Sequence, residues 1–141
     1  MSALYTPQML ALAADLARYP LAGDFAAGAQ RRSSVCGSTL AIGLDMDEGG
    51  AIARIGLKVS ACAVGQSSAA ILAGSARGAS PESVGETLEG LRQWLEGEAP
   101  LPPWPGLDAI AAVRERQGRH GALLLPWEAA VEALSSRGAA R

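Results

Sequence analysis

The thiol and imidazole metal donors of this 141-residue chain are two cysteines and one histidine: Cys36, Cys62 and His120. Paired thiols can close a disulfide, hold a metal as thiolates, or simply fill a core as small hydrophobes. Which of these applies depends first on whether the chain brings Cys36 and Cys62 together. The stretch between them argues that it does. Val35-Cys36-Gly37 sets the first thiol on a tight glycine turn, and the alternation of Leu40, Ile42 and Leu44 marks a strand. Asp47-Glu48-Gly49-Gly50 then supplies the positive-φ residues of a short hairpin turn, and Ile52, Ile55, Leu57 and Val59 outline a second strand. Each cysteine lies roughly a dozen residues from that turn, and antiparallel pairing sets equidistant positions side by side. Both thiols are therefore expected at one end of the sheet.

Cys62 is followed by Gln66-Ser67-Ser68-Ala69-Ala70-Ile71-Leu72, whose small side chains let a helix pack closely on a sheet. A thiol at that helix start faces unpaired N–H groups, whose partial positive charge favours a thiolate. This feature points to chemistry beyond packing.

Composition bounds the alternatives. Apolar residues make up 49% and charged residues 18% of the chain, which argues for one compact domain spanning residues 1–141 and against disorder. The net charge of −2 and pI near 5.4 give no electrostatic footprint for nucleic acid or for anionic membranes. No signal-like segment and no bilayer-length apolar run is visible, so a cytoplasmic protein is expected. In that compartment, thiols are more often reduced, metal-bound or redox-active than locked in a structural disulfide.

The remaining elements frame the hairpin. Thr6-Pro7 is a cap followed by proline, and Met9, Leu10, Leu12, Ala13 and Leu16 continue as a helical stripe that ends before Pro20. A short edge strand is expected near Ala26–Ala29. Ser80-Pro81 opens a second capped helix, with Val84, Leu88, Leu91, Trp94 and Leu95 on one face and an end near Gly97. Pro100 to Pro105 reads as a stiff connector packed on its own domain, and Gly106 to Arg116 as a short helix. The apolar run from Arg119 to Leu134 predicts a buried C-terminal helix in which Pro126 sits at an early turn or makes a kink. With a single histidine and no phosphate loop, carboxylate pair or nucleophile elbow, a conventional catalytic triad has no support. Asp45, Asp47 and Glu48 are read as turn residues.

Taken in order, these features resemble the U-type iron–sulfur cluster assembly scaffolds, the group of IscU, SufU and the N-terminal domain of NifU. The resemblance runs from about Tyr5 to Leu134 and rests on Val35-Cys36-Gly37, the hairpin, Ala61-Cys62-Ala63 and the tail Leu125-Pro126-Trp127-Glu128-Ala129. It implies an α/β (α+β) fold, a small antiparallel sheet of about three strands packed against several helices. It implies a scaffold rather than an enzyme, one that binds iron, zinc or a transient iron–sulfur cluster and works with a cysteine desulfurase and other cluster-assembly proteins. Cys36 and Cys62 match two of the family's ligands. Ser38 stands where the family has an aspartate, and Ala122 where it has a third cysteine. His120 is then the candidate replacement donor, and Ser38 and Arg119 are candidates for residues close to the site. Two other readings stay open: a degenerate module that kept the fold and its partner surface without ligating metal, and a redox dithiol formed by Cys36 and Cys62. Also open is whether a second copy, in a homodimer, completes the coordination.

Overall fold

The computed structural model describes residues 6–33 and 37–139, with side chains as far as residue 135. A three-stranded antiparallel sheet lies at its centre, in the order β1 (Ala27–Arg32), β2 (Thr39–Met46), β3 (Ile52–Ser60). Ahead of it comes α1 (Pro7–Asp15), and after it come α2 (Ala63–Ala76), α3 (Pro81–Leu95) and α4 (His120–Ala139). Among the described residues no helix is long and apolar enough to cross a membrane.

The hairpin follows the sequence pattern. β2 pairs with β3 from Thr39↔Ser60 to Met46↔Ile52, with a register shift after Asp45. The Asp47 amide donates to the Ala51 carbonyl (2.8 Å), the Ala51 amide donates back to the Asp47 carboxylate (3.0 Å), and Gly50 takes φ 87°. Directly paired residues share a face of the sheet. Leu40, Ile42 and Leu44 therefore line the inner face together with Leu57, Val59 and Ile55, and α2 and α4 cover that face. Behind them, α1 packs on α2 and α3 packs on α4.

Both predicted caps form: the Thr6 hydroxyl accepts from the Met9 amide (3.1 Å) and the Ser80 hydroxyl from the Ser83 amide (3.0 Å). The edge strand reaches further than Ala26–Ala29, to Arg32. Its inward-facing Arg31 is met by carboxylates of α4, at 2.9 Å from Glu132 and 3.9 Å from Glu128, so the polar end of the strand still has a partner. The expected short helix after Gly106 is a 3₁₀ run, Leu107–Glu115, broken at Ile110. Its buried residues Leu107, Ile110 and Val113 recur every third position, the repeat that stacks side chains in a 3₁₀ helix. Pro126 lies inside α4, where it has no N–H to give the Ala122 carbonyl.

The outer face of the sheet is half covered. Tyr19-Pro20 runs along the free edge of β3, with the Leu57 amide donating to the Tyr19 carbonyl (2.8 Å), and the chain then crosses the sheet to reach β1. Phe25 belongs to this crossing and sets its ring against the sheet. A Cβ placed on Gly43 or Gly56 would come within 2.5 Å or 2.6 Å of its ring, so both positions need glycine. The Arg54 guanidinium lies over the ring, 4.0 Å from its centroid.

Candidate functional site

Three segments meet at the end of the sheet opposite the hairpin turn. The first is the β1–β2 connection. The Ser33 amide donates to the Ser38 carbonyl (2.8 Å), the Gly37 amide donates to the Ser33 carbonyl (3.2 Å), and Gly37 takes φ 72°, a left-handed conformation that favours glycine. Ser33 and Ser38 are both buried. Cys36 lies outside the described residues, between flanks that the structure does place.

The second segment is the start of α2. The Thr39↔Ser60 pair shows that the chain enters β2 and leaves β3 at the same end, and two residues beyond Ser60 stands Cys62. Cys62 is the N-cap of α2, with φ −66° and ψ 172°, and its side chain makes no capping hydrogen bond. It is a free, half-buried thiol resting against the core. Gln66 locks the turn that carries it: its amide donates to the Cys62 carbonyl (3.0 Å), and its side chain donates to the Ala61 carbonyl (2.8 Å). The sulfur is thus positioned by its neighbours while taking no part in the cap.

The third segment is the first turn of α4. A Cβ placed on Gly65 would lie 2.8 Å from the Ala61 Cβ, 3.5 Å from the Ala122 carbonyl oxygen and 3.8 Å from the Ala122 Cβ. One placed on Gly121 would lie 3.5 Å from the Ser33 hydroxyl. Glycines at these two positions let α2, α4 and the β1–β2 connection approach closely. Ala122 sits at this junction, 1% exposed, and offers only a methyl group. The structure therefore brings together Cys62, the connection carrying Ser38, and the position of Ala122.

His120 and Arg119 lie just before that junction. His120 begins α4, half-buried, with Nε2 2.8 Å from the Arg114 carbonyl oxygen. A carbonyl can only accept, so Nε2 carries the proton and the lone pair of the neutral ring is on Nδ1. Arg119 closes a 3₁₀ turn through its amide, which donates to the Arg116 carbonyl (2.8 Å), and its side chain is half-exposed. Among the described residues no cluster of three or more His, Cys, Asp or Glu side chains converges.

Fold comparison sets this junction in context. No protein-family model matches the sequence, nor does any curated protein sequence. A crystal structure of a nitrogen-fixing NifU-like protein (N-terminal) from Brucella abortus superposes with a TM-score of 0.90 and 24% identity, over 98% of this chain and 96% of that one. The chain has the same fold as this NifU-like domain. A candidate iron–sulfur cluster assembly scaffold protein for the SUF system, from the thermophile Fervidobacterium islandicum AW-1, is similar over 93% of this chain and 96% of its own, with TM-score 0.83 and 16% identity. A protein of undescribed function matches at TM-score 0.73 and 20% identity, over 90% of this chain and 96% of its own. The small antiparallel sheet of about three strands packed against several helices, expected from the sequence, is therefore the architecture shared with these structures.

Some residues that hold this junction carried little signal in the sequence. Ser67 and Ser68 read as small packing residues, yet both are fully buried and both donate to backbone. The Ser67 hydroxyl reaches the Met9 carbonyl at the end of a turn of α1 (2.9 Å), and the Ser68 hydroxyl reaches the Leu123 carbonyl of α4 (2.6 Å). Trp127 in turn donates its indole N–H to the Ser68 oxygen (3.0 Å). A serine pair in an otherwise apolar helix was the available clue, since a buried hydroxyl needs a partner.

Proposed function

We propose that this protein is an iron–sulfur cluster assembly scaffold of reduced ligand number, with iron, zinc or a nascent cluster as its cargo and no catalytic chemistry of its own. One observation carries the reading: in a chain with the U-type fold along almost its whole length, Cys62 occupies the N-cap of α2 with its thiol uncommitted. A cap residue is normally chosen for the bond its side chain makes, and this one makes none. Cys62 and Cys36 act as the thiolate donors, accepting sulfur from a cysteine desulfurase or gripping the metal directly. His120 adds an imidazole. Its Nε2–H is already fixed on the Arg114 carbonyl, the outer contact that orients a ligating histidine, which leaves Nδ1 as the donor. Ser38 and Arg119 border the site. Such a donor set fits soft and borderline metals, and with Ala122 contributing no ligand it leaves a coordination position open. An open position suits cargo that must be handed on, whether to a cluster-assembly partner or across a homodimer. The reading places the work in the cytoplasm.

The test is metal and sulfide content of protein purified anaerobically, wild type beside Cys62→Ser. About one zinc, or iron with matching sulfide, per chain in the wild type and a large loss in the variant is the expected result. Equal content in both would remove Cys62 from the site. A second reading is favoured by the buried methyl of Ala122: a module that keeps the fold and the partner surface but binds no metal. It predicts stable wild-type protein free of metal that still binds a desulfurase.

A further inference from the structure

The outer face of the sheet is covered over only part of its length, and the uncovered part lies beside Cys62. Three rows of directly paired residues cross it. In the row Gly28, Gly43, Gly56, the Phe25 ring fills the space above Gly43 and Gly56, while Gly28 at the β1 edge stays exposed. The next two rows, Gln30–Ala41–Lys58 and Arg32–Thr39–Ser60, carry nothing above them among the described residues and border a shallow hollow of about 400 Å³. Ala41 forms its low centre, and Arg32 and Lys58 stand at diagonal corners, both exposed.

The chemistry of this hollow is one-sided. Its lining includes cations, hydroxyls and an amide but no carboxylate. The neighbouring Arg31 points to the inner face, where Glu128 and Glu132 engage it. Arg32 and Lys58 have no carboxylate partner among the described residues, although the chain as a whole is acidic, with net charge −2. Two unpaired cations held across a hydroxyl-lined hollow form a local positive field that selects an anionic occupant. The site is open and spans three strands, without the enclosed, converging donors that a compact anion needs. It has no aromatic lining on which nucleic-acid bases could stack.

We propose that this hollow docks an acidic, extended peptide segment of a partner protein, with partner carboxylates on Arg32 and Lys58 and backbone or side-chain acceptors on Thr39, Ser60 and Gln30. Ser60 precedes Cys62 by two residues, so a segment seated here brings its protein to the thiol end of the sheet. The surface stands independently of whether Cys62 binds metal.

The experiment is titration of the full chain with a fluorescently labelled glutamate-rich synthetic peptide at about 0.1 M salt, where the Debye length is about 10 Å, with amide chemical shifts followed by NMR. Saturable binding with shifts centred on Gln30, Arg32, Thr39, Lys58 and Ser60 is expected. The double variant Arg32→Glu/Lys58→Glu should weaken binding by about tenfold or more, since each reversal replaces an attraction with a repulsion. Arg77→Glu, at the far end of α2, makes the same charge change as either single reversal, Arg32→Glu or Lys58→Glu, and should leave binding within about twofold, as expected of an exposed charge roughly 20 Å away along the helix and beyond a Debye length. Cys62→Ser should bind the peptide as wild type does, so failure of the metal site and failure of this surface are distinguishable. The proposal is overturned if Arg77→Glu weakens binding as much as Arg32→Glu or Lys58→Glu alone, which would make net charge the cause. It is equally overturned if inorganic phosphate displaces the peptide and moves the same amides at comparable concentration, which would make this a small-anion site. Both reversed side chains are exposed, and Lys58→Gln, which removes charge without reversing it, should give an intermediate loss.

Discussion

The seam between α2 and α4 and the junction beside Cys62 are made by the same two helices, yet they are bonded in opposite ways. In the seam every polar side chain is engaged. Ser68 donates to Leu123, Trp127 donates to Ser68, and Trp104 donates its indole N–H to the Ile71 carbonyl (3.0 Å). The two indoles meet edge to face, with centroids 5.0 Å apart and planes at 90°. One turn away, at the junction, Cys62 caps nothing, Ala122 presents a methyl, and Gly65 and Gly121 present no side chain at all. The contrast separates two tasks. Placing a thiol needs rigid surroundings, and the seam supplies them through directional bonds and dense packing. Using the thiol needs a sulfur with no other commitment, and the half-buried Cys62 at the junction has one.

The comparison can be broken most forcefully from the seam. Trp127 is 0% exposed, and Trp127→Ala removes its packing, the contact with Trp104 and the bond to Ser68 together. A loss of about 3–5 kcal/mol is expected in urea unfolding, a large share of the stability of a domain this size. Trp127→Phe keeps most of the volume and strands no buried group, because the Ser68 hydroxyl still donates to Leu123; its cost should be about 1–2 kcal/mol. If Trp127→Ala cost no more than an exposed substitution, the seam would not be what holds Cys62 in place.

The junction offers a gain rather than a loss. Ala122 faces Gly65 at the start of α2, so Ala122→Cys sets a third thiol where three segments converge. The extra sulfur in a closely packed place should cost about 1 kcal/mol of stability, while metal or cluster content after anaerobic reconstitution rises and persists longer against a chelator. Unchanged metal content in the variant would mean that the uncommitted geometry at the junction serves something other than ligation.

How far the sequence anticipated each region follows from the kind of signal involved. The hairpin was legible because a two-residue alternation around Asp47-Glu48-Gly49-Gly50 has few other solutions, and the register Thr39↔Ser60 then places Cys62 at the expected end of the sheet. The caps at Thr6 and Ser80 were legible because the proline after each reports the helix start. Ser67 and Ser68 were not, since their partners, Met9 and Leu123, lie more than fifty residues away in the chain. β1 ran past its apolar residues because Glu128 and Glu132, a hundred residues on, receive Arg31. The glycines Gly43 and Gly56 gained meaning only once pairing set them side by side under Phe25. Cys36 lies outside the described residues, so the expected meeting of the two thiols is carried by its flanks alone.

Asp45 provides the smallest test and the sharpest control, because it sits at the opposite end of the sheet from the thiol. Read as a turn residue, it instead lies within β2, paired with Arg54, and fastens the segment that crosses the outer face. Its carboxylate accepts from the Ala26 amide (2.8 Å) and pairs with Arg54 (2.7 Å), while Arg54 also donates to the Asp24 carbonyl. The Ala26 N–H, and after it the Arg54 guanidinium, hold the Asp45 carboxyl below its usual value of 3.8. A carboxylate whose folded pKa is depressed adds stability above its unfolded pKa and loses it as pH falls through the folded value. Wild type should therefore be slightly more stable than Asp45→Asn near neutral pH, and the gap should close as pH drops below the carboxylate range. Because Asp45 is solvent-accessible and the pair is screened, the effect should be small and should shrink further in high salt. Metal content should be the same in both proteins. A fall in metal content with Asp45→Asn would mean that the two ends of the sheet are coupled, and that the seam does not isolate the junction from the rest of the fold.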